Sequence, residues 1–225
     1  MAVSLGALAY ATQTGRSALG PIGVALGVWT VSGALVDIAG RTGRGSIMQR
    51  FSRLIRLPGA DWGKATAHIG MGVIIFGVAA ITAWQQEDIR IAQLDVPYNV
   101  GNYSFELTSV SQVEGPNYLS TLANISVRKG VREIAILSPE KRFYPVAQMP
   151  TTEAAIRNGI LRDIYVVIGD AQVNGGYTVR VYIKPFANWI WGGALLMALG
   201  GFLSLFDRRM RLAAGAGKPV IEVVT

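Results

Sequence analysis

Cysteine is absent from this chain, and histidine occurs once, at position 68. The chain therefore has no disulfide, no thiolate ligand for a metal and no nucleophilic thiol of its own. A single imidazole does not support a zinc site built on paired histidines, and because it lies in an apolar stretch long enough to span a membrane, it does not supply a Ser-His-Asp triad. No glycine-rich phosphate-binding loop is present. We therefore assign no catalytic residue, and we expect any chemistry to be shared with a partner.

Charge is also scarce, at 16% of residues against 51% hydrophobic residues. Soluble globular domains carry about 25% charged residues, so this composition favours a membrane protein. The formal net charge is +7, but the excess lies in short segments beside apolar stretches. That distribution is typical of membrane topology and not of a nucleic-acid surface, so we predict no nucleic-acid partner.

Three apolar stretches are long enough to cross a bilayer as helices, which takes roughly 20 residues. They are residues 17–39, residues 63–83, which include His68, and residues 186–206. All three are rich in glycine and alanine, which favours close packing between helices. Residues 1–16 are too short to span, and we interpret them as the stump of an earlier helix or an outside segment of a larger membrane protein.

The charges between these stretches predict the orientation. Residues 40–64 hold six Lys or Arg against one acid, and the tail after Phe206 holds four against two, whereas residues 84–184 hold ten of each sign. Since Lys and Arg concentrate on the cytoplasmic side, the basic loop 40–62 and the tail 207–225 are predicted to be cytoplasmic. The segment 84–185 is then predicted to lie outside, with the lipid bilayer as a partner of all three spans.

The segment 84–185 changes from helical to alternating hydrophobicity. Its apolar runs are short, rich in β-branched and aromatic residues and separated by turn residues such as NGG at 174–176. The runs are 103–110, 120–127, 133–139, 163–170 and 177–185. They predict a small antiparallel β-domain, sandwich or barrel, with one short helix over TTEAAIRNG at 151–159. The predicted fold class is an α+β membrane protein with three transmembrane helices and this extracytoplasmic domain between the second and third.

His68 lies inside the second apolar stretch, where an unpaired imidazole costs free energy. Three interpretations are open from the residues alone: a packed, hydrogen-bonded side chain, a metal or haem ligand, and a proton relay. At helical spacing His68 shares a face with Gly72 and Ile75, and Met71 lies beside them. The glycine could leave room for a flat macrocycle against the backbone, or it could serve helix packing.

Several longer segments resemble the C-terminal part of the CcmF family, from about Gly20 to Arg211. They are LPGADWGKATAHIGMGV in the second span, KRFYPVAQMPTTEAAIRNGILRDIYVVIGD in the β-domain and YTVRVYIKPFANWIWGGALLMALGGFLSLFDRRMR at the third span. CcmF is the membrane haem lyase of bacterial and some organellar cytochrome c maturation. None of these segments is a generic pattern.

The resemblance implies that the chain helps attach haem to a CxxCH apocytochrome c. The implied partners are a membrane-tethered haem chaperone, apocytochrome c and its thiol-handling subunits. Family members also hold a structural b-type haem between two transmembrane histidines, and His68 matches one of them as an axial iron ligand. The remaining part of the haem lyase would supply the second ligand. The implied location is the bacterial inner membrane, or its mitochondrial equivalent, with the β-domain on the periplasmic side.

The family's tryptophan-rich WWD segment and its outward-facing haem-binding histidines are absent from this sequence. We therefore do not expect the chain to be catalytically complete alone. It is interpreted as either a naturally split subunit or a fragment of the full protein. Two other functions remain open. One is a membrane-anchored scaffold that presents the β-domain for docking, with His68 merely packed. The other is a b-type electron-transfer subunit outside cytochrome maturation.

Overall fold

The computed structural model describes residues 1–15, 17–173 and 175–207. Across these residues the chain forms five α-helices and ten β-strands in two compact units. The helices are α1 (Ala2–Thr12), α2 (Leu19–Gly40), α3 (Ile47–Ile55), α4 (Gly59–Trp84) and α5 (Ala187–Leu205). The strands are β1 (Gln86–Ala92), β2 (Tyr98–Val100), β3 (Tyr103–Glu114), β4 (Leu119–Lys129), β5 (Arg132–Leu137), β6 (Glu140–Tyr144), β7 (Met149–Glu153), β8 (Ala155–Arg157), β9 (Arg162–Ala171) and β10 (Tyr177–Pro185).

The first unit is helical and comprises residues 1–11, 18–79 and those from 189 onward. Its helices α2, α4 and α5 are 22, 26 and 19 residues long and apolar enough to cross a membrane, which confirms the three predicted spanning helices. The shorter helix α1 is also apolar. The tail predicted from residue 207 lies, from residue 208 onward, outside the described residues.

The spanning helices pack through glycines at which the two backbones nearly touch. A Cβ added to Gly70 of α4 would lie 2.6 Å from the carbonyl oxygen of Gly193 in α5. On α2, a Cβ added to Gly27 would lie 2.8 Å from the carbonyl oxygen of Gly72 in α4. Any side chain at these positions would separate the helices, so glycine is required there for the close approach expected of membrane helices.

Residues 40–62, predicted as a basic loop, contain helix α3. The helix begins with a capping box in which the Ser46 hydroxyl accepts from the Gln49 backbone N–H and the Gln49 side chain accepts from the Ser46 N–H. Two backbone donors at the helix N-terminus are thereby satisfied, which stabilises so short a helix. The S-x-x-Q spacing is visible in the sequence and would have predicted the helix.

The second unit, residues 12–17 and 80–188, is a β-sandwich. One sheet has the order β1-β10-β9-β8, and the other has the order β2-β3-β4-β6-β7 with β5 paired to β4. All ladders between these named strands are antiparallel. Inward side chains alternate with outward ones, and nine large ones, contributed by both sheets, have no exposed surface: Phe105, Leu107, Ile125, Val127, Ile164, Val166, Ile168, Val179 and Val181. The five predicted segments coincide with β3, β4, β5, β9 and β10.

The short helix predicted over residues 151–159 is wrong. This segment instead forms the end of β7 and the whole of β8. Thr151 pairs with Arg142 of β6, and Ala155 pairs with Val166 of β9. A nine-residue helix is only marginally stable by itself, so backbone pairing with strands that are already present prevails over local helical preference.

Candidate functional site

Helix α4 carries His68 and contacts a helix on each of two nearly opposite sides. Gly72 and Ala79 lie on the side that contacts α2, and Gly63 and Gly70 lie on the side that contacts α5. At about 100° per residue, these two sides leave two stripes of the helix between them, of which one is clearly the more exposed. His68 lies on that stripe.

The stripe around His68 is open in the helical unit. His68 itself is exposed, and so are Lys64 one turn before it and Met71 one turn after it. Ile75 follows on the same stripe and is partly exposed. The expected neighbours Met71 and Ile75 therefore share the stripe of α4 that carries His68.

The imidazole makes a hydrogen bond within its own helix. Its Nδ1 lies 2.8 Å from the carbonyl oxygen of Lys64. Because a carbonyl oxygen only accepts, Nδ1 carries the proton and donates, and the lone pair of the neutral ring is then on Nε2. Within the described residues this is the hydrogen bond that His68 makes, so the lone pair of Nε2 is not used by it.

A cluster of charges lies one turn before His68, where α2 ends and α4 begins. The Lys64 ammonium lies 3.0 Å from the Asp37 carboxylate, and Arg41 contacts both Asp37, at 3.5 Å, and Asp61, at 2.5 Å. Two cations and two carboxylates thus balance each other. The Lys64 charge nearest to the imidazole is therefore compensated within the helical unit.

The glycines next to His68 serve helix packing. A Cβ on Gly72 would lie 2.7 Å from Cγ2 of Val31 in α2, and Gly70 is in contact with α5. Gly72 therefore leaves no room for a macrocycle against the backbone of α4. Of the two roles left open for these glycines, close helix packing is the one observed, and a planar ligand would have to approach the imidazole over Met71 and Ile75.

The described residues contain no group of three or more His, Cys, Asp or Glu side chains that could hold a metal ion. An apolar hollow of about 290 Å³ does lie between α2 and α4, but His68 is not among its lining residues, which include Gly27, Val31, Gly72 and Phe76. His68 is therefore neither part of such a group nor a lining residue of this hollow.

Comparison with known proteins identifies a family model and relatives that match this chain. Residues 83–185 match the family model described as the CcmF C-terminal β-sandwich. The cytochrome c-type biogenesis protein ccl1 of Rhodobacter capsulatus is 51% identical over 96% of this chain and 32% of its own length. CcmF of Escherichia coli is 37% identical over 90% of this chain and 30% of its own length.

A solved structure titled cytochrome c heme lyase CcmF has the same fold, with a TM-score of 0.65 at 15% identity over 92% of this chain and 33% of that one. The three spanning helices and the sandwich thus define a membrane protein of cytochrome c-type biogenesis. Within that class the chain belongs to the CcmF family and corresponds to the C-terminal part of its members. It spans about a third of the length of the curated relatives described here.

Proposed function

We propose that this chain is a haem-binding part of the haem lyase of cytochrome c maturation and that Nε2 of His68 is an axial ligand of a b-type haem iron. The observation that carries the proposal is the position of His68 on the open stripe of α4, with Nδ1 bonded to Lys64 and Nε2 directed away from that bond. Buried ionisable groups in membrane helices usually face a partner or a cofactor.

The residues present fit one half of a bis-imidazole site. A histidine that binds a metal usually donates a hydrogen bond from its other ring nitrogen, because that bond sets the tautomer and the ring orientation. The Lys64 carbonyl supplies that bond, and the apolar side chains of Met71 and Ile75 supply a surface suited to a porphyrin face. Bound haem would supply a one-electron iron centre whose potential depends on both axial ligands and on burial.

The role of this chain is then to hold one ligand in place. The glycine contacts of α4 with α2 and α5 set the rotation of the helix, and the Lys64 carbonyl sets the rotation of the imidazole. The remaining part of the haem lyase supplies the second axial ligand. The haem chaperone, apocytochrome c and its thiol-handling subunits are proposed as further partners of the assembly, with the β-sandwich as a docking surface.

The charge distribution supports a location in the bacterial inner membrane, or the mitochondrial equivalent, with the β-sandwich on the periplasmic side. A cysteine introduced at Asn117, in the turn between β3 and β4, tests this orientation because the chain has no other thiol. An impermeant thiol reagent should label it from the periplasmic side of sealed membranes. Labelling only from the cytoplasmic side would reverse the proposed topology.

The haem-ligand proposal is tested by His68→Gln and His68→Gly in the complete membrane assembly. Glutamine retains a hydrogen-bonding side chain of similar size but ligates iron poorly, so the low-spin b-type absorption spectrum should be lost while the protein still inserts. In the glycine variant, added imidazole should restore part of that spectrum. Leu195→Ala, at an exposed position of α5 outside the proposed haem surface, is the control and should leave the spectrum intact.

An unchanged b-type spectrum in His68→Gln would show that His68 is a packed, hydrogen-bonding residue. The scaffold interpretation would then replace the haem-ligand proposal. Loss of the spectrum without loss of cytochrome c maturation would instead point to a b-type electron-transfer role outside maturation.

A further inference from the structure

Helix α3 presents an apolar face that the described residues of the helical unit leave uncovered. Ile47, Met48, Phe51 and Ile55 are 90%, 76%, 57% and 65% exposed. At about 100° per residue these four side chains fall within one third of the helix circumference, and the arginines of α3 lie on the rest. So much exposed apolar surface on a nine-residue helix is typical of an interaction site.

The exposure is not a consequence of a loosely held helix. The Arg53 guanidinium donates to the carbonyl oxygens of Thr42 and Arg44, each at 2.9 Å. Arg50 Nε donates to the Thr42 hydroxyl at 3.1 Å, and the indole of Trp62 in α4 donates to the Leu54 carbonyl at 3.2 Å. Together with the capping box, these bonds hold α3 against the loop that follows α2 and against α4, and they determine where the apolar face points.

The charge around α3 is uncompensated. Asp37 and Asp61 pair with Arg41 and Lys64. Among the described ion pairs, none involves the four remaining arginines of this segment, which are Arg44, Arg50, Arg53 and Arg56. The positive charge of these arginines is therefore available to an anionic partner.

A groove joins the apolar face to this charge. It has a volume of about 370 Å³ and runs between the end of α2 and α3, lined by Leu35, Ile38, Ala39, Thr42, Ile47, Arg50, Phe51 and Leu54. Its walls are mainly aliphatic and aromatic side chains, and one guanidinium lies among them. An acyl chain with a negatively charged head matches that combination.

We propose that α3 is an interfacial helix that binds anionic phospholipid, with an acyl chain in the α2–α3 groove and the headgroup phosphate among the arginines. Helix α3 follows the end of the spanning helix α2 after only six residues, so the headgroup level of the bilayer is where chain continuity places it. A protein occupant would have to bring several carboxylates and an apolar ridge together, whereas one lipid supplies both. The proposal is independent of haem binding by His68.

Lipid retention tests the headgroup contact. The full chain is purified from nanodiscs that contain phosphatidylcholine and phosphatidylglycerol, and the bound lipid is measured by native mass spectrometry. Arg44→Gln with Arg56→Gln removes two guanidiniums that do not hold α3 in place. Each basic side chain near an anionic surface contributes roughly fivefold to affinity, so the preference for phosphatidylglycerol should fall by about 25-fold.

Lys129→Gln with Arg132→Gln, in the exposed β4–β5 hairpin, removes the same charge and should leave the preference unchanged. Equal retention of phosphatidylglycerol by the wild type and the Arg44/Arg56 variant would overturn the proposal. Equal losses in both double variants would also overturn it, since the effect would then be one of net charge.

The depth of the apolar face is a second test. A spin label on Met48→Cys should be relaxed strongly by oxygen, which partitions into lipid, and weakly by a water-soluble nickel chelate. Strong relaxation by the chelate would place α3 in water, and protection from both agents would place a protein segment over it. Either result would overturn the proposal.

Discussion

The β-sandwich and the helical unit bury apolar surface in different ways. The sandwich encloses nine large apolar side chains with no exposed surface. In the helical unit the fully enclosed positions are mainly glycine and alanine, while large side chains such as Trp29, Trp191 and Leu195 are 67%, 73% and 72% exposed. The sandwich therefore completes its core within this chain, whereas the helices need lipid and other protein segments around them.

The largest expected effect is on the sandwich core. Phe105→Ala removes a fully buried ring that stacks on Tyr98, with 5.8 Å between ring centroids, and should destabilise the sandwich by about 3–5 kcal/mol. Thermal unfolding of the chain in detergent, followed by the circular dichroism of its strands, measures this change. Leu195→Ala, on the outward surface of α5, is the control and should shift unfolding very little. Comparable losses in both variants would mean that the helices have an enclosed side-chain core as well.

In the helical unit, by contrast, contacts at glycines should determine how stably the helices pack together. Gly70→Ala places a Cβ 2.6 Å from the Gly193 carbonyl, and because backbone cannot yield locally, it should weaken α4–α5 packing by about 1–3 kcal/mol. Gly192→Ala introduces the same methyl group where no atom lies within 4 Å. That variant should be neutral, or more stable by up to about 1 kcal/mol through helix propensity. Resistance to unfolding by a denaturing detergent distinguishes them, and identical behaviour would argue against backbone contact between α4 and α5.

The smallest expected effect is that of one ion pair, between Glu140 and Arg142, on the stability of the sandwich. The guanidinium of Arg142, which donates to Glu140 at 2.8 Å, holds the pKa of that carboxyl below its ordinary value of 4.5, and the Ser120 hydroxyl adds a bond of 3.0 Å. A lowered folded-state pKa stabilises the fold above about pH 4.5, and this stability is lost as the pH falls through the lowered value.

Glu140→Gln should therefore reduce stability by about 1 kcal/mol at neutral pH and by progressively less in acid. Melting temperatures of both proteins across the acid range provide the measurement. Glu114→Gln, at an exposed position on β3, should follow the wild type at every pH. A constant difference between Glu140→Gln and the wild type down to low pH would assign the effect to packing.

Fold prediction from this sequence succeeded where the hydrophobic pattern is strong. The three long apolar helices and five of the ten strands, β3, β4, β5, β9 and β10, were predicted correctly because length and period identify them. Strands β1, β2 and β6 were not among the predicted segments. Strands β7 and β8 were not predicted, since they are only five and three residues long and are determined by pairing with β6 and β9. The sequence offers no local signal for such pairing.

At the candidate site, position in the chain identified His68, but the surroundings of the imidazole required the structure. Gly72 was compatible with an open pocket or with helix packing, and only the contact with Val31 distinguishes these roles. Likewise the bond from Nδ1 to the Lys64 carbonyl depends on a side-chain rotamer, which helical spacing permits but does not determine.

The backbone contacts of α4 also have a thermodynamic consequence. With glycines of α2 on one side and of α5 on the other, rotation of α4 about its axis would drive backbone atoms together. The Lys64 carbonyl restricts the one remaining freedom, that of the imidazole about its own side-chain bonds. The direction of the Nε2 lone pair is therefore set before any ligand approaches. A ligand that binds Nε2 loses little conformational entropy in orienting the imidazole.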